Sequence, residues 1–236
     1  MSYLIKLPEV TDAILATLKN NYQGLKIQKE DQPILDLSDL SEKDAGKVSL
    51  DITFYLENPN LPLENLCSHL DNYHPRNESQ EELLKYAHMI LAIDDPSVTA
   101  GLWVYGEPGV GKSHIAVALA KQLMARNMET YFRFGEKLSR TELLGNNQTW
   151  VIDDLNKGND YQGRVFTKII LNAHNVGGRI FVTSNKRYED IMGEIFPNFL
   201  PSTKADKARY EDRTKRIFKI LELTGESQRE EHAWYN

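Results

Sequence analysis

The chain has almost no cysteine. Cys67 is the single one among 236 residues, which excludes an internal disulfide framework and any zinc site built on cysteines. It is most simply a structural residue. No apolar run approaches membrane-spanning length, so no membrane partner is expected. Met1 to Leu7 lacks the charged and apolar blocks of a secretory signal, which makes a cytoplasmic protein the expectation. Positive charge is not in excess either. The 28 Lys and Arg against 34 Asp and Glu leave a net charge of −6. The chain as a whole is therefore no polycation for nucleic acid, and any such contact needs a local patch. There is no internal repeat and no low-complexity tract. The six histidines, His69, His74, His88, His114, His174 and His232, form no pair with metal-ligand spacing and read as surface or core residues. What remains is ordinary for a globular protein, 41% hydrophobic and 26% charged, with length for one α/β domain and a smaller extension.

The stretch that organises the rest is Gly106-Glu107-Pro108-Gly109-Val110-Gly111-Lys112-Ser113. It fits the phosphate-binding loop pattern G-x-x-x-x-G-K-[ST] at every fixed position. Leu102 to Tyr105 reads as a buried strand before it. His114 to Ala125, with Ile115, Leu119 and Leu123 at helical spacing, reads as a helix after it. Glycines let successive backbone N–H groups turn inward toward phosphate oxygens, and the helix N-terminus adds favourable partial charge. In this pattern Lys112 reaches the β- and γ-phosphates and the Ser113 hydroxyl ligates Mg²⁺. A glycine-rich turn before an ordinary core helix is the bland alternative, and it does not account for the complete pattern.

Along the chain, Pro8 to Tyr22 reads as a helix with Val10, Ile14, Leu15 and Leu18 on one face. Residues 23–50 carry no clear period, although a helix from about Ser41 to Leu56 is compatible with the pattern. Asn58 to Pro62 is a breaker, and the boundary is set between residues 1–65 and 66–236. Asn77 opens a helix to about Ile93. Strands follow at Thr130–Phe134, Thr149–Ile152, Arg179–Thr183 and Ile217–Leu223. A helix at Val165–His174 is stopped by Gly177-Gly178, and Glu211 to Arg216 closes another. Helices alternating with apolar strands specify a mostly parallel five-stranded sheet, the α/β architecture of a P-loop NTPase. Ligands of such sheets bind at the carboxyl ends of the strands, where the P-loop, Asp153-Asp154 and Asn185 all fall.

A carboxylate at the Asp153 position can hold Mg²⁺ directly or through water. Asp154 is placed to orient or deprotonate an attacking water. Asn185 can hydrogen-bond the γ-phosphate or that water. Without the P-loop the acidic pair would be a solvated strand end and Ser184-Asn185 an ordinary turn. Lys204, Lys207, Arg209, Arg213, Lys215, Arg216 and Lys219 form a local basic cluster interleaved with Asp206, Glu211 and Asp212. A solvated helix face and a phosphate-binding face both fit it.

The residues Gly106 to His114, Val151-Ile152-Asp153-Asp154-Leu155, Val182-Thr183-Ser184-Asn185 and Arg209-Tyr210-Glu211-Asp212-Arg213 together resemble the AAA+ ATPases of the DnaC/DnaI helicase-loader type, with the IstB-like transposition helpers as kin. Leu70 to Tyr73 with Gln80 resembles the linker before the family's core, and Gly225 to Arg229 its closing segment. The resemblance covers roughly residues 66–230. It implies that Gly106, Glu107, Pro108, Gly109, Val110, Gly111, Lys112, Ser113 and His114 bind ATP or ADP, with Ser113 and Asp153 at Mg²⁺. It makes Asp154, Asn185 and Lys112 catalytic, with Asn185 as sensor, and Arg213 an arginine finger acting across a subunit interface. Leu70 and Tyr73 would lie near the adenine.

The resemblance further implies slow, assembly-dependent hydrolysis and a nucleotide-dependent homo-oligomer. Residues 1–65, mainly helical, would bind a protein partner such as a replicative helicase or another nucleic-acid-processing assembly. Two features differ from the family. Only Gly135 to Gln148 separates the second strand from the third, where relatives carry helical elements associated with single-stranded DNA, so weak DNA contact is the expectation. Only a short tail follows the fifth strand, so no C-terminal helical lid is expected. Superfamily 3 viral-type helicases share similar Gly-Lys-Ser, Asp-Asp and Thr-Ser-Asn motifs and are the alternative. A nucleotide-dependent interaction adaptor unrelated to DNA is a third.

Overall fold

The computed structural model describes residues 4–7, 11–28, 32–95, 97–138, 148–156, 159–195 and 212–227. Contacts divide the chain into two compact units, residues 1–68 and 69–236.

The first unit contains β1 (Leu4–Lys6), α1 (Asp12–Asn21), β2 (Lys26–Gln28), β3 (Ile34–Asp36) and α2 (Glu42–Glu57). The strands form an antiparallel sheet in the order β1-β3-β2. Leu35 of the central strand pairs with Ile5 and Ile27 and is fully buried. Ile14, Leu15 and Leu18 of α1 and Val48 and Ile52 of α2 share that core with Leu66 and the buried Cys67. Ser41 caps α2, its hydroxyl accepting the Asp44 N–H at 3.1 Å. Gly46 sits within α2 with open space where a Cβ would be, so it costs the helix propensity but no packing. Helices dominate the described residues of the unit, but two strands of the small sheet, β2 and β3, lie in the stretch where the sequence shows no period, and β1 lies ahead of the first expected helix. Three-residue strands are too short to display alternation. The unit also buries an acid. The Tyr22 hydroxyl donates to the Asp51 carboxylate at 2.6 Å, and burial, with Asp51 beside it, pushes the phenol pKa strongly up.

The second unit runs α3 (Glu78–Leu91), β4 (Thr99–Gly106), α4 (Lys112–Ala125), β5 (Thr130–Phe134), β6 (Thr149–Asp153), α5 (Asp160–Val176), β7 (Gly178–Ser184), α6 (Tyr188–Ile195) and β8 (Phe218–Leu223). Residues 212–217 are helical and lead into β8. The strands form a five-stranded sheet in the order β5-β6-β7-β4-β8, and every pairing is parallel. This is the α/β fold expected from the sequence. Trp103 in β4, between β7 and β8, meets Phe166 of α5, Tyr188 of α6 and Phe218 of β8 edge-on. Its neighbours Leu102 and Val104 point the other way. α4 buries nearly its whole first three turns, from Ile115 to Ala120, and so reads apolar all round.

The five strands lie within three residues of their expected spans. α5 is longer than Val165–His174. Asn159 caps it by accepting from the Tyr161 and Gln162 N–H groups, well before Val165, the first apolar residue of the buried face. α6 has no counterpart in the sequence reading. Pro8, Lys204, Lys207, Arg209 and most of Gly135 to Gln148 lie outside the described residues. Among the described residues, no helix is long and apolar enough to cross a membrane.

Candidate active site

The register brings the P-loop, Asp153 and Ser184 to one edge of the sheet. Gly106 lies opposite Leu223, Ser184 opposite Tyr105 and Asp153 opposite Phe134. All three glycines of the loop take backbone angles that side chains rarely adopt, Gly106 at φ +153°, Gly109 at φ +85° and Gly111 at φ +97°. Gly111 is the N-cap of α4, and its left-handed turn aims the first helical N–H groups into the loop. A Cβ on Gly109 would lie 2.0 Å from the Ser227 hydroxyl oxygen. The loop is thus closed on that side by the segment after β8. Asn77 and Ser79, at the start of α3, fasten this segment. Asn77 Nδ2 donates to the Thr224 carbonyl at 2.9 Å, and Ser79 Oγ accepts the Thr224 N–H at 3.1 Å. Gln80 Nε2 reaches the Val110 carbonyl at 3.3 Å.

Lys112 is 6% exposed. Its ammonium donates to the Gly106 and Glu107 carbonyls at 2.7 and 2.8 Å, so a cation is held over the mouth of a ring of backbone donors. Ser113 Oγ donates to Asp153 Oδ1 at 3.1 Å. Thr183 Oγ1 donates to the same carboxylate oxygen and accepts the Asp154 N–H at 2.9 Å. Asp153 is 3% exposed. Burial pushes its carboxyl pKa up, the Thr183 and Ser113 hydrogen bonds pull it back, and Asp154 raises it again. A buried, partly desolvated carboxylate beside a serine hydroxyl suits a hard cation that takes oxygen ligands. Among the described residues no group of three or more His, Cys, Asp or Glu is placed to hold a metal. A Mg²⁺ ion held there by Ser113 and Asp153 would take its other ligands from phosphate and water oxygens, the usual arrangement for this ion.

Asp154 has φ +58°, a left-handed backbone that Asp and Asn tolerate better than other non-glycine residues. This turn swings its exposed carboxylate away from the Asp153 side of the strand. Asn156 Nδ2 donates to that carboxylate, while Asn156 Oδ1 accepts the Asn185 N–H at 2.6 Å and the Ser184 hydroxyl at 3.3 Å. One amide thus ties the ends of β6 and β7 together and positions both Asp154 and the exposed Asn185. The sequence reading did not single out Thr183 as a functional residue, and it missed Asn156, Asn77 and Ser227. Thr183 and Ser227 stood within recognised segments and Asn77 was read only as a helix start; Asn156 carries no local signal.

Lys112, Ser113, Asp153, Asp154 and Asn185 are brought together. His114 is on the first turn of α4, turned toward residues 69–73. Arg213 is not with them. It is exposed in the 212–217 helix, which enters β8 where Phe218 lies opposite Gly101, at the amino edge of the sheet. The six residues of β8 separate it from the P-loop edge, a distance on the order of 15–20 Å at the usual strand rise. Asp212 pairs with Arg216 at 3.0 Å rather than with Arg213, and no ion pair of Arg213 occurs among the described residues.

A family profile described as RNA helicase matches residues 102–175, from the P-loop strand to the last turn of α5. No curated protein sequence matches the chain. Among solved structures, that of DnaI superposes with a TM-score of 0.58 at 22% identity, covering 72% of this chain and 94% of its own. The DnaC helicase loader gives 0.52 at 23% identity, covering 66% and 97%. The replication initiator DnaA bound to AMPPCP and single-stranded DNA gives 0.51 at 14% identity, covering 68% and 51%. The chain has the AAA+ fold. At these identities the likeness establishes the fold alone. The five candidate residues converge at the carboxyl edge of its five-stranded sheet.

Proposed function

We propose that this chain is a Mg²⁺-dependent ATPase that works between subunits, as a nucleotide-switched loader or adaptor of the helicase-loader type in replication or transposition. The observation that carries the reading is the join of Ser113 and Thr183 on one oxygen of buried Asp153, beside a P-loop whose lysine sits over its mouth. In this reading the loop N–H groups hold the phosphates, and Lys112 exchanges its two carbonyl partners for β- and γ-phosphate oxygens. Ser113 and Asp153 would hold Mg²⁺, which would supply neutralisation of the charge on those oxygens. Water oxygen attacks the γ-phosphorus, the bond to the β–γ bridging oxygen breaks, and ADP leaves. Asp154 takes the proton from the water, and Asn185 orients it. Arg213 of a neighbouring subunit stabilises the transferred phosphoryl group. The mainly helical residues 1–65 bind the protein partner.

The match to the RNA helicase profile favours a second reading, a superfamily 3 helicase. Those enzymes place a DNA-tracking hairpin ahead of the final asparagine. Here α5 ends at Val176 and β7 starts at Gly178, which leaves only Gly177 between them, too little for a hairpin. Single-stranded DNA binding is therefore expected to be weak and steeply salt-dependent. Strand separation by the chain alone would favour the helicase reading. The direct test of the site is ATP titration of Lys112→Ala. Loss of the ammonium should weaken binding by at least about tenfold; unchanged affinity in a folded variant would remove the reading.

A further inference from the structure

Beside the P-loop a turn is pinned to the first turn of α4. Asn72 Oδ1 accepts the His69 N–H at 2.9 Å. His114 Nε2 lies 2.9 Å from the same Asn72 oxygen and 3.0 Å from the His69 carbonyl. A carbonyl only accepts, so His114 carries its proton on Nε2 and shares it between the two oxygens. Tyr73, the next residue of the turn, is 5% exposed. Its ring lies 5.4 Å from that of His114, tilted by 54°, and a Cβ on Gly111 would come within 2.8 Å of it. The Tyr73 hydroxyl is buried without a hydrogen-bond partner among the described residues. The turn and the phosphate loop therefore share one packed surface, and the Asn72–His114 contact is the polar fastening across it.

Lys112, Ser113 and Asp153 mark the β/γ, metal-bearing end of a bound triphosphate. The α-phosphate and the nucleoside must leave the loop away from Asp153. One flank there is closed by Ser227 against Gly109. The other is the turn of residues 69–73, whose Tyr73 ring packs against Gly111 and His114 at the base of the loop. We propose that Asn72, acting through His114, is a positioning residue that holds this turn as the wall for the nucleoside, so that the site prefers nucleotides to bare polyphosphate. This rests on the ATP-site reading above. The phosphate contacts come from the loop backbone and Lys112, which the fastening does not touch. Its loss therefore weakens what depends on the wall and spares what depends on the loop.

The experiment is calorimetric titration of the full chain with ATP, ADP and inorganic tripolyphosphate. It compares wild type with Asn72→Leu, Asn72→Asp, His114→Ala and the Asn72→Leu/His114→Ala pair, each checked for an intact thermal transition. Asn72→Leu should raise the Kd for ATP and ADP about tenfold, the scale of one lost buried hydrogen bond, with tripolyphosphate changed less than about twofold. Asn72→Asp keeps the acceptor oxygen and should stay near wild type. The double variant should be no weaker than the weaker single one, because both remove the same contact. Equal weakening toward ATP and tripolyphosphate, or no change toward either, overturns the proposal while leaving the ATP site standing. A folded wild type that binds neither ligand overturns both.

Discussion

Thr183 is the side chain on which the two aspartates depend. It donates to Asp153 and accepts from the Asp154 backbone. Replacing it with valine keeps the shape, leaves Asp153 Oδ1 with Ser113 as its donor and takes the acceptor from the Asp154 N–H, an unmade bond worth about 1–3 kcal/mol. Thr183→Val should lower stability by about 2 kcal/mol in urea unfolding and cut ATP turnover at least about tenfold. Unaltered turnover would remove Thr183 from the site. Asp154→Asn is a cleaner probe, because asparagine also tolerates the left-handed backbone at this position. It should bind ATP like wild type and barely turn it over, and steady-state phosphate release checks this. His114 adds a pH effect. Burial holds its pKa below the ordinary 6.5. The unfolded chain therefore takes up a proton first as pH falls through that value. The stabilisation is complete above 6.5 and is lost below it. Between about pH 7.5 and about pH 5, His114→Gln should lose less unfolding free energy than wild type. At this scale the sequence shows Lys112, Ser113, Asp153, Asp154 and Asn185, because phosphate and metal chemistry requires those types at those offsets. Thr183 and Asn156 act through hydrogen bonds spanning about thirty residues of chain, which no local pattern encodes.

The elements follow the same division. β4, α4, β6, α5 and β7 are long or strongly apolar, and each is bounded by glycine, asparagine or the acidic pair, so their existence is legible. The strands of the first unit have three residues each and are set by pairing with Leu35 at the centre, not by their own pattern. α6 has only eight residues and follows directly on the Asn185 turn. Tyr188, Ile191 and Met192 mark its buried face only once the sheet is in place. The first turn of α3 is an element-level joint. Asn77 caps the helix through the Gln80 N–H and holds Thr224 beside the P-loop. Asn77→Ala should therefore cost about 1–2 kcal/mol and also weaken nucleotide binding. Ser41→Ala, a cap in the first unit, should cost about 1 kcal/mol and leave nucleotide binding alone. Calorimetric melting and ATP titration of the two variants separate these effects.

At the scale of the whole molecule, the register decides the mechanism. The P-loop and Asp153 lie at the carboxyl edge of the sheet, and Arg213 leads into its amino edge. One chain cannot bring its own Arg213 to its own P-loop, so if Arg213 acts as the proposed finger, a second copy must supply it. The sequence carries both parts, but their separation becomes visible only once β8 is paired with β4 in parallel. Hydrolysis should rise with protein concentration, or with a partner that enforces assembly. The most direct measurement is ATP hydrolysis by Lys112→Ala, Arg213→Ala and their equimolar mixture, at one total concentration. Each variant alone should be nearly inactive, since one lacks the pocket and the other the finger. The mixture should recover activity, because some interfaces then join an intact pocket to an intact finger. Normal hydrolysis by Arg213→Ala alone, or a mixture no more active than its components, would contradict catalysis between subunits.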